Sequence, residues 1–253
     1  MLTSIVASAT IPTKVLIADA SDKFGSGDLC GPKSALVSDV LIYHEFPRLF
    51  PNQGYNQLCR KCTTDFLLFL NDDAEMAYGL DAIAVSFMKK HSEVGIGCLF
   101  WCDLPSGSPY LQSLDGIVYA NFGVIRRAAA EQWGWWETRS VYIPELGREE
   151  KLSFYGNDVG LCFRCIDAGF ACVGIPGTLV KHHREQDDER HQNMQKHLHD
   201  DRNMPPGSLP GTILRRLWNG DDPTLQGYAR LREKAAKFSY LSAKIDQQGN
   251  VRA

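Results

Sequence analysis

The sequence predicts an α/β protein: a mixed, mainly parallel sheet with helices on both faces and a helical tail at the C-terminus. Three observations carry this. Short apolar runs alternate with amphipathic segments from about residue 14 to residue 183. Strands that are apolar on both faces, separated by helices, imply a mostly parallel sheet covered on both sides. Beyond residue 184 the composition changes to a charged stretch, EQDDERHQNMQKHLHDD, followed by NMPPGSLPG and a helical pattern.

Taken in order, strands are predicted at 14–18 (KVLIA), 40–43 (VLIY), 66–70 (FLLFL), 94–100, 117–125 and 171–175. Each is a run of β-branched, aromatic or leucine residues bounded by polar ones. Helices are predicted at 53–64, 77–91, 127–134 and 158–169 from apolar spacing of three and four residues. The Pro/Gly segment near 204–211 reads as a break, and 228–245 as a last helix. The expected division is a sheet domain over 1–184 and a charged, mainly helical extension over 185–253. Within that extension His191, His197 and His199 read as parts of a solvated face rather than as ligands.

Composition bounds the function. The 253 residues carry a net charge of −3, with 44% hydrophobic and 23% charged residues, as an ordinary folded chain does. No basic field for a nucleic acid backbone is present, so an anionic ligand must be met locally, by a metal ion, a few arginines or helix N-termini. No apolar run reaches the ~18 residues of a membrane span, and MLTSIVASATIP lacks a basic signal region. A soluble, cytoplasmic protein is expected, with peripheral association at a membrane as an option. The eight cysteines are irregularly spaced and read as free thiols. Cys59/Cys62 and Cys162/Cys165 have zinc-like spacing, but each pair completes a helical apolar stripe: Tyr55, Leu58, Cys59, Cys62 and Val159, Cys162, Phe163, Ile166.

In open α/β sheets ligands bind at the carboxyl ends of strands, and the residues there are acidic. Asp19 follows the first run, Asn71-Asp72-Asp73 the run at 66–70, and His182-His183 the last. Strand-end aspartates suit a hard divalent cation that also takes substrate phosphate oxygens. The competing reading is that Asp72 and Asp73 cap a following helix whose first turn holds Glu75. Asn157-Asp158 opens an amphipathic helix, where Asp158 serves either as a cap or as a general base within reach of an acceptor hydroxyl.

Together these segments resemble the family 2 glycosyltransferases of the GT-A, Rossmann-like fold, especially the rhamnosyl- and galactofuranosyl-transferase-like members. VLIADAS is similar to the family's second strand and VDNGS-type turn, and NQGYNQLCRKCTTDFLLFLNDDAEM to the helix, strand and DxD-type motif after it. FGVIRRAAAEQWGWWE resembles the Arg-Arg turn and GGFDE-like segment, GNDVGLCFRCIDAGF the GEDVDLCLRLRKAGY pattern, and IPGTLVKHH the VPDARVYHH ending. The resemblance implies metal-dependent, inverting transfer of a sugar from a nucleotide-diphosphate donor to a glycan, lipid-linked or other hydroxyl acceptor. It makes Asp73 a ligand of Mg²⁺ or Mn²⁺, with His182 as an added ligand and Asp158 as the catalytic base. Asn71 and Asp72 fall beside the metal ligand, and Asp19 where the nucleotide base is contacted. Trp135 and Trp136 stack on a sugar or pack in the core.

Two departures stand out. The family's opening strand, of the type VSVVIPTYNR, has no counterpart, so the nucleotide pocket is expected to lack one wall. Asn157 replaces the usual Glu beside the base. Both favour the alternative of a degenerate GT-A-like domain acting as a binding or assembly partner. A nucleotidyltransferase ranks third, because no glycine-rich phosphate loop is visible near the N-terminus.

Overall fold

The structure, a computed structural model, describes residues 2–19, 34–44, 51–105, 107–152, 156–183, 208–219 and 226–241. Helix α1 (Leu2–Ser8) precedes β1 (Thr13–Asp19) and β2 (Val37–His44), which pair in parallel. Then come α2 (Pro51–Lys61), β3 (Phe66–Phe69), β4 (Ala74–Met76), α3 (Leu80–Lys90) and β5 (Val94–Asp103). The hairpin β6 (Gln112–Leu114) and β7 (Ile117–Tyr119) leads into β8 (Gly123–Arg126) and α4 (Arg127–Trp133). A second hairpin, β9 (Ser140–Ile143) and β10 (Arg148–Lys151), precedes α5 (Asn157–Asp167) and β11 (Ala171–His182). Helices α6 (Ser208–Asn219) and α7 (Gln226–Ala236) and a 3₁₀ turn (Ser239–Leu241) close the described chain.

The central sheet is mixed, in the order β3-β8-β5-β11-β4. β5 and β11 are parallel neighbours, while β8 and β4 run against them and β3 runs with them. β5 lies at the centre, and all of its residues but Asp103 are buried. Its side chains alternate as the pleat requires: Ile96, Cys98 and Phe100 pack toward α4 and α5, whereas Leu99 and Trp101 pack toward α1 and α3. Helices therefore cover both faces, as predicted. Gly97 leaves room on β5 for the Ile175 side chain, since a Cβ there would sit 2.3 Å from Ile175 Cδ1.

The differences from the sequence reading are local. The run 117–125 is two strands, broken at Ala120-Asn121-Phe122: Ile117–Tyr119 pairs with Gln112–Leu114 in a hairpin, whereas Gly123–Arg126 pairs with β3 and β5, and Leu99 N donates to Phe122 O (3.0 Å) in continuation of that second ladder. The last strand continues past Pro176 and Gly177 to His182, held by pairing with both β5 and β4. Pro210 falls in the first turn of α6, where a missing N–H costs nothing, so NMPPGSLPG contains a helix start and not only a break. The final helix ends at Ala236 with the 3₁₀ turn after it, and the end of the predicted 228–245 span lies outside the described residues, as do His191, His197, His199 and Cys30. The other seven cysteines are free.

The C-terminal helices are seated on α5. Phe163 meets Trp218 and Tyr228, each with ring centroids 5.3 Å apart. Arg139 sits over the Trp218 ring at 5.2 Å. Pro210 and Leu214 of α6 back the Gly156 turn that starts α5. Buried aromatic contacts of this kind add to the area term rather than merely covering surface.

Candidate active site

Three strand ends meet at one corner. Antiparallel pairing of β11 with β4 sets His182 opposite Ala74, and parallel pairing with β5 sets it opposite Asp103. Asp73, immediately before β4, thereby comes to lie over the imidazole: His182 Nε2 is 3.0 Å from Asp73 Oδ2, and Nδ1 is 2.9 Å from Asp103 Oδ1. The Tyr110 hydroxyl reaches Asp103 Oδ2 at 3.3 Å. The ring is wedged between Trp101, edge-to-face at 5.4 Å, and Phe122 at 5.7 Å.

Asp72 and Asp73 are not helix caps. Ala74, Glu75 and Met76 form β4, and α3 starts only at Leu80 with Gly79 as its N-cap. The cross-sheet pairing to β11 overrides the local helical preference that places a helix start at 77. Asp72 is exposed, and Asn71 Oδ1 accepts from the Tyr55 hydroxyl at 2.9 Å. Asp19 is the last residue of β1, opposite His44.

Asp158 does not cap α5 either. The N-cap is Gly156, in the left-handed conformation (φ 79°) and without a side-chain cap, and Asp158 lies in the first turn. Its Oδ1 accepts from Val159 N at 2.9 Å and its Oδ2 from Asn121 Nδ2 at 2.9 Å. Burial raises its pKa to about 6, against the pull of the backbone N–H donors. A base poised near neutrality is what general-base catalysis asks for.

Tyr55 lies within the field of both clusters. Burial holds its phenol well above the ordinary range, and the charges of Asp72, Asp73 and Asp158 add to the effect. Its ring stacks on Trp136, centroids 4.7 Å apart and nearly parallel. Trp135 and Trp136 are 7% and 2% exposed, so both belong to the core and neither is offered to a sugar face.

The arginines of the Arg-Arg turn are spent on structure. Arg126 donates to the carbonyls of Met88, of His91 (2.8 Å) and of Val94 (3.0 Å), closing the end of α3, and Arg127 pairs with Thr64 O and Glu131. With Asp72, Asp73, Asp103 and Asp158 around the site, a diphosphate needs a cation. Among the described residues no three His, Cys, Asp or Glu side chains form a metal-holding group by themselves. Asp73 and His182 nevertheless fit a divalent ion: a carboxylate and an imidazole nitrogen suit Mn²⁺, the carboxylate suits Mg²⁺, and such ions take their other oxygens from water and substrate phosphate.

Asp103 and Asn121 are the site residues that sequence reading missed. Asp103 ends an apolar run taken to stop at residue 100; following that run through Cys102 brings it to the strand end. Asn121 sits in what reads as strand interior, and no local signal marks the break.

No family model and no curated protein matches the chain. Solved structures do. S. aureus TarS 1–349 in complex with UDP-GlcNAc superposes with a TM-score of 0.50 at 11% identity, covering 98% of this chain and 72% of that one. The fold is GT-A. A second structure of S. aureus TarS 1–349 gives a TM-score of 0.48 at 9% identity, over 95% of this chain and 76% of that one. GalNAc-T7, crystallised with UDP, GalNAc and Mn²⁺, gives 0.48 at 12% identity and covers 79% of this chain. The chain spans 46% of the GalNAc-T7 structure's length. Among the described residues of this GT-A domain, no helix is long and apolar enough to cross a membrane.

Proposed function

We propose that the chain is a metal-dependent, inverting glycosyltransferase that moves a sugar from a nucleoside diphosphate to an acceptor hydroxyl, in the cytoplasm. What supports this is the Asp73–His182 pair at the strand ends of a GT-A sheet together with Asp158, a buried carboxylate of raised pKa in the first turn of α5, the charges of Asp73 and Asp158 both acting on Tyr55.

Asp158 is ionised at neutral pH and takes the acceptor's proton as that oxygen bonds to the anomeric carbon and the bond from carbon to diphosphate breaks. One displacement inverts the centre. Asn121 holds Oδ2 of the base, leaving that oxygen a second lone pair for the acceptor. Asp73 and His182 would hold Mg²⁺ or Mn²⁺, and the ion would neutralise the charge developing on the departing diphosphate. Asn71 and Asp72 border the donor phosphates, and Asp19 the nucleotide base.

A screen of nucleotide sugars for donor hydrolysis tests this, beginning with UDP sugars because the TarS complex holds UDP-GlcNAc. The expected result is hydrolysis that needs Mn²⁺ or Mg²⁺ and stops with chelator. If calorimetry with Mn²⁺ detects no binding of any nucleoside diphosphate, the chain is a non-catalytic partner.

A further inference from the structure

We infer that Asp103 is the positioning residue of the metal site, fixing His182 as the tautomer with its proton on Nδ1 so that the Nε2 lone pair faces Asp73 and the cation. The inference rests on the metal reading above and adds a residue to it.

His182 lies between two carboxylates at 2.9 and 3.0 Å, and a neutral imidazole has one N–H to give. The two acids differ in how they are held. Asp103 sits on the central strand as the register partner of His182, and its other oxygen is engaged by Tyr110. Asp73 directly precedes β4, its carbonyl accepting from His183 N at 2.8 Å. The carboxylate whose second oxygen Tyr110 already engages is the one suited to orient the imidazole, and Asp73 is the one suited to share a cation with Nε2. Metal-bound histidines ordinarily give their second nitrogen's proton to such a carboxylate, which fixes ring and tautomer. Trp101 and Phe122 limit the tilt of the ring but accept no proton, so they cannot choose between tautomers.

The test compares wild type, Asp103→Ala and Asp103→Asn by Mn²⁺ titration in the presence of UDP, with free Mn²⁺ followed by electron paramagnetic resonance. Asp103→Ala is expected to weaken Mn²⁺ binding by about 10–100-fold. Asp103→Asn, which keeps an acceptor oxygen, recovers most of that loss. A second readout uses long-range ¹H–¹⁵N spectra of the protein with Mg²⁺ and UDP, where His182 carries its proton on Nδ1 in wild type and shifts toward Nε2 in Asp103→Ala. Unchanged Mn²⁺ affinity in folded Asp103→Ala, or an Nε2–H His182 in wild type, overturns the positioning role and leaves the metal site standing. Wild type that binds no Mn²⁺ overturns both.

Discussion

Asn121 donates from Nδ2 to Oδ2 of Asp158 at 2.9 Å. The next residue, Phe122, packs on His182, so one dipeptide braces both Asp158 and His182. Asp158→Asn keeps the size and an acceptor for Asn121 but cannot take a proton. Sugar transfer is expected to fall by roughly 10²–10⁴-fold with donor affinity near wild type. Initial rates at saturating donor, together with calorimetry of the nucleoside diphosphate, check it; a wild-type rate removes Asp158 from the chemistry.

The same substitution is expected to stabilise the protein at neutral pH. Burial lifts the Asp158 pKa from 3.8 to about 6, so the folded state holds the proton more tightly than the unfolded one. That contribution is present in full below the unfolded pKa and is lost as pH rises through about 6. Wild type thus carries at pH 8 a buried charge that the Val159 and Asn121 donors only partly offset, at a cost on the order of 1–3 kcal/mol. Melting curves should place Asp158→Asn above wild type at pH 8 and close to it at pH 4. A gap that does not grow with pH contradicts the assignment.

Transfer itself should show the same group. With Asp158 protonated no base remains, so kcat/KM is expected to drop about tenfold per pH unit below about 6. A profile flat down to pH 5 contradicts it.

The sequence shows the sheet and its acidic strand ends plainly, because apolar runs such as FLLFL and VGIGCLF carry burial in their composition. It is silent where tertiary pairing decides. Ala74-Glu75-Met76 has no strand pattern of its own and becomes β4 only because the end of β11 lies beside it. That pairing separates Asp73 from any helix start and brings it to His182. The pairings of Asp103 and Asn121 are hidden for the same reason: their partners lie 79 and 37 residues away.

If Asp73 is a metal ligand as proposed, Asp73→Ala is expected to abolish Mn²⁺-dependent binding of nucleoside diphosphates while circular dichroism shows the fold intact, with some loss of melting temperature because the carboxylate is 9% exposed and pairs with His182. Calorimetry with and without Mn²⁺ decides; unchanged Mn²⁺-dependent affinity moves the metal elsewhere.

Glu137 is a structural counterpart to Asp158, a buried carboxylate whose charge is compensated. Its side chain is fully buried, yet it accepts from Arg139 at Nε and NH2, from Arg164 NH1 (3.1 Å), and from the backbone N–H groups of Thr138 and Arg139. Burial pushes its pKa up, but the Arg139 hydrogen bonds and the Arg164 charge outweigh that and hold it below the ordinary value. Arg164 also donates to Trp133 O, so Glu137 ties α5 to the end of α4. Glu137→Gln turns an amide N–H₂ toward a guanidinium and leaves Arg164, 18% exposed, without its counter-charge. Breaking a buried pair from one side costs about 3–5 kcal/mol, and the half-exposed Arg139 places this case at the low end. Because the folded pKa is depressed, the wild-type contribution is present above the unfolded pKa near 4.5 and is lost as pH falls through the folded one. Denaturant unfolding should therefore show a deficit for Glu137→Gln of about 3 kcal/mol at pH 7 that narrows toward pH 3. Equal stability at pH 7 would mean that Arg139 and Arg164 reach solvent when the acid is lost.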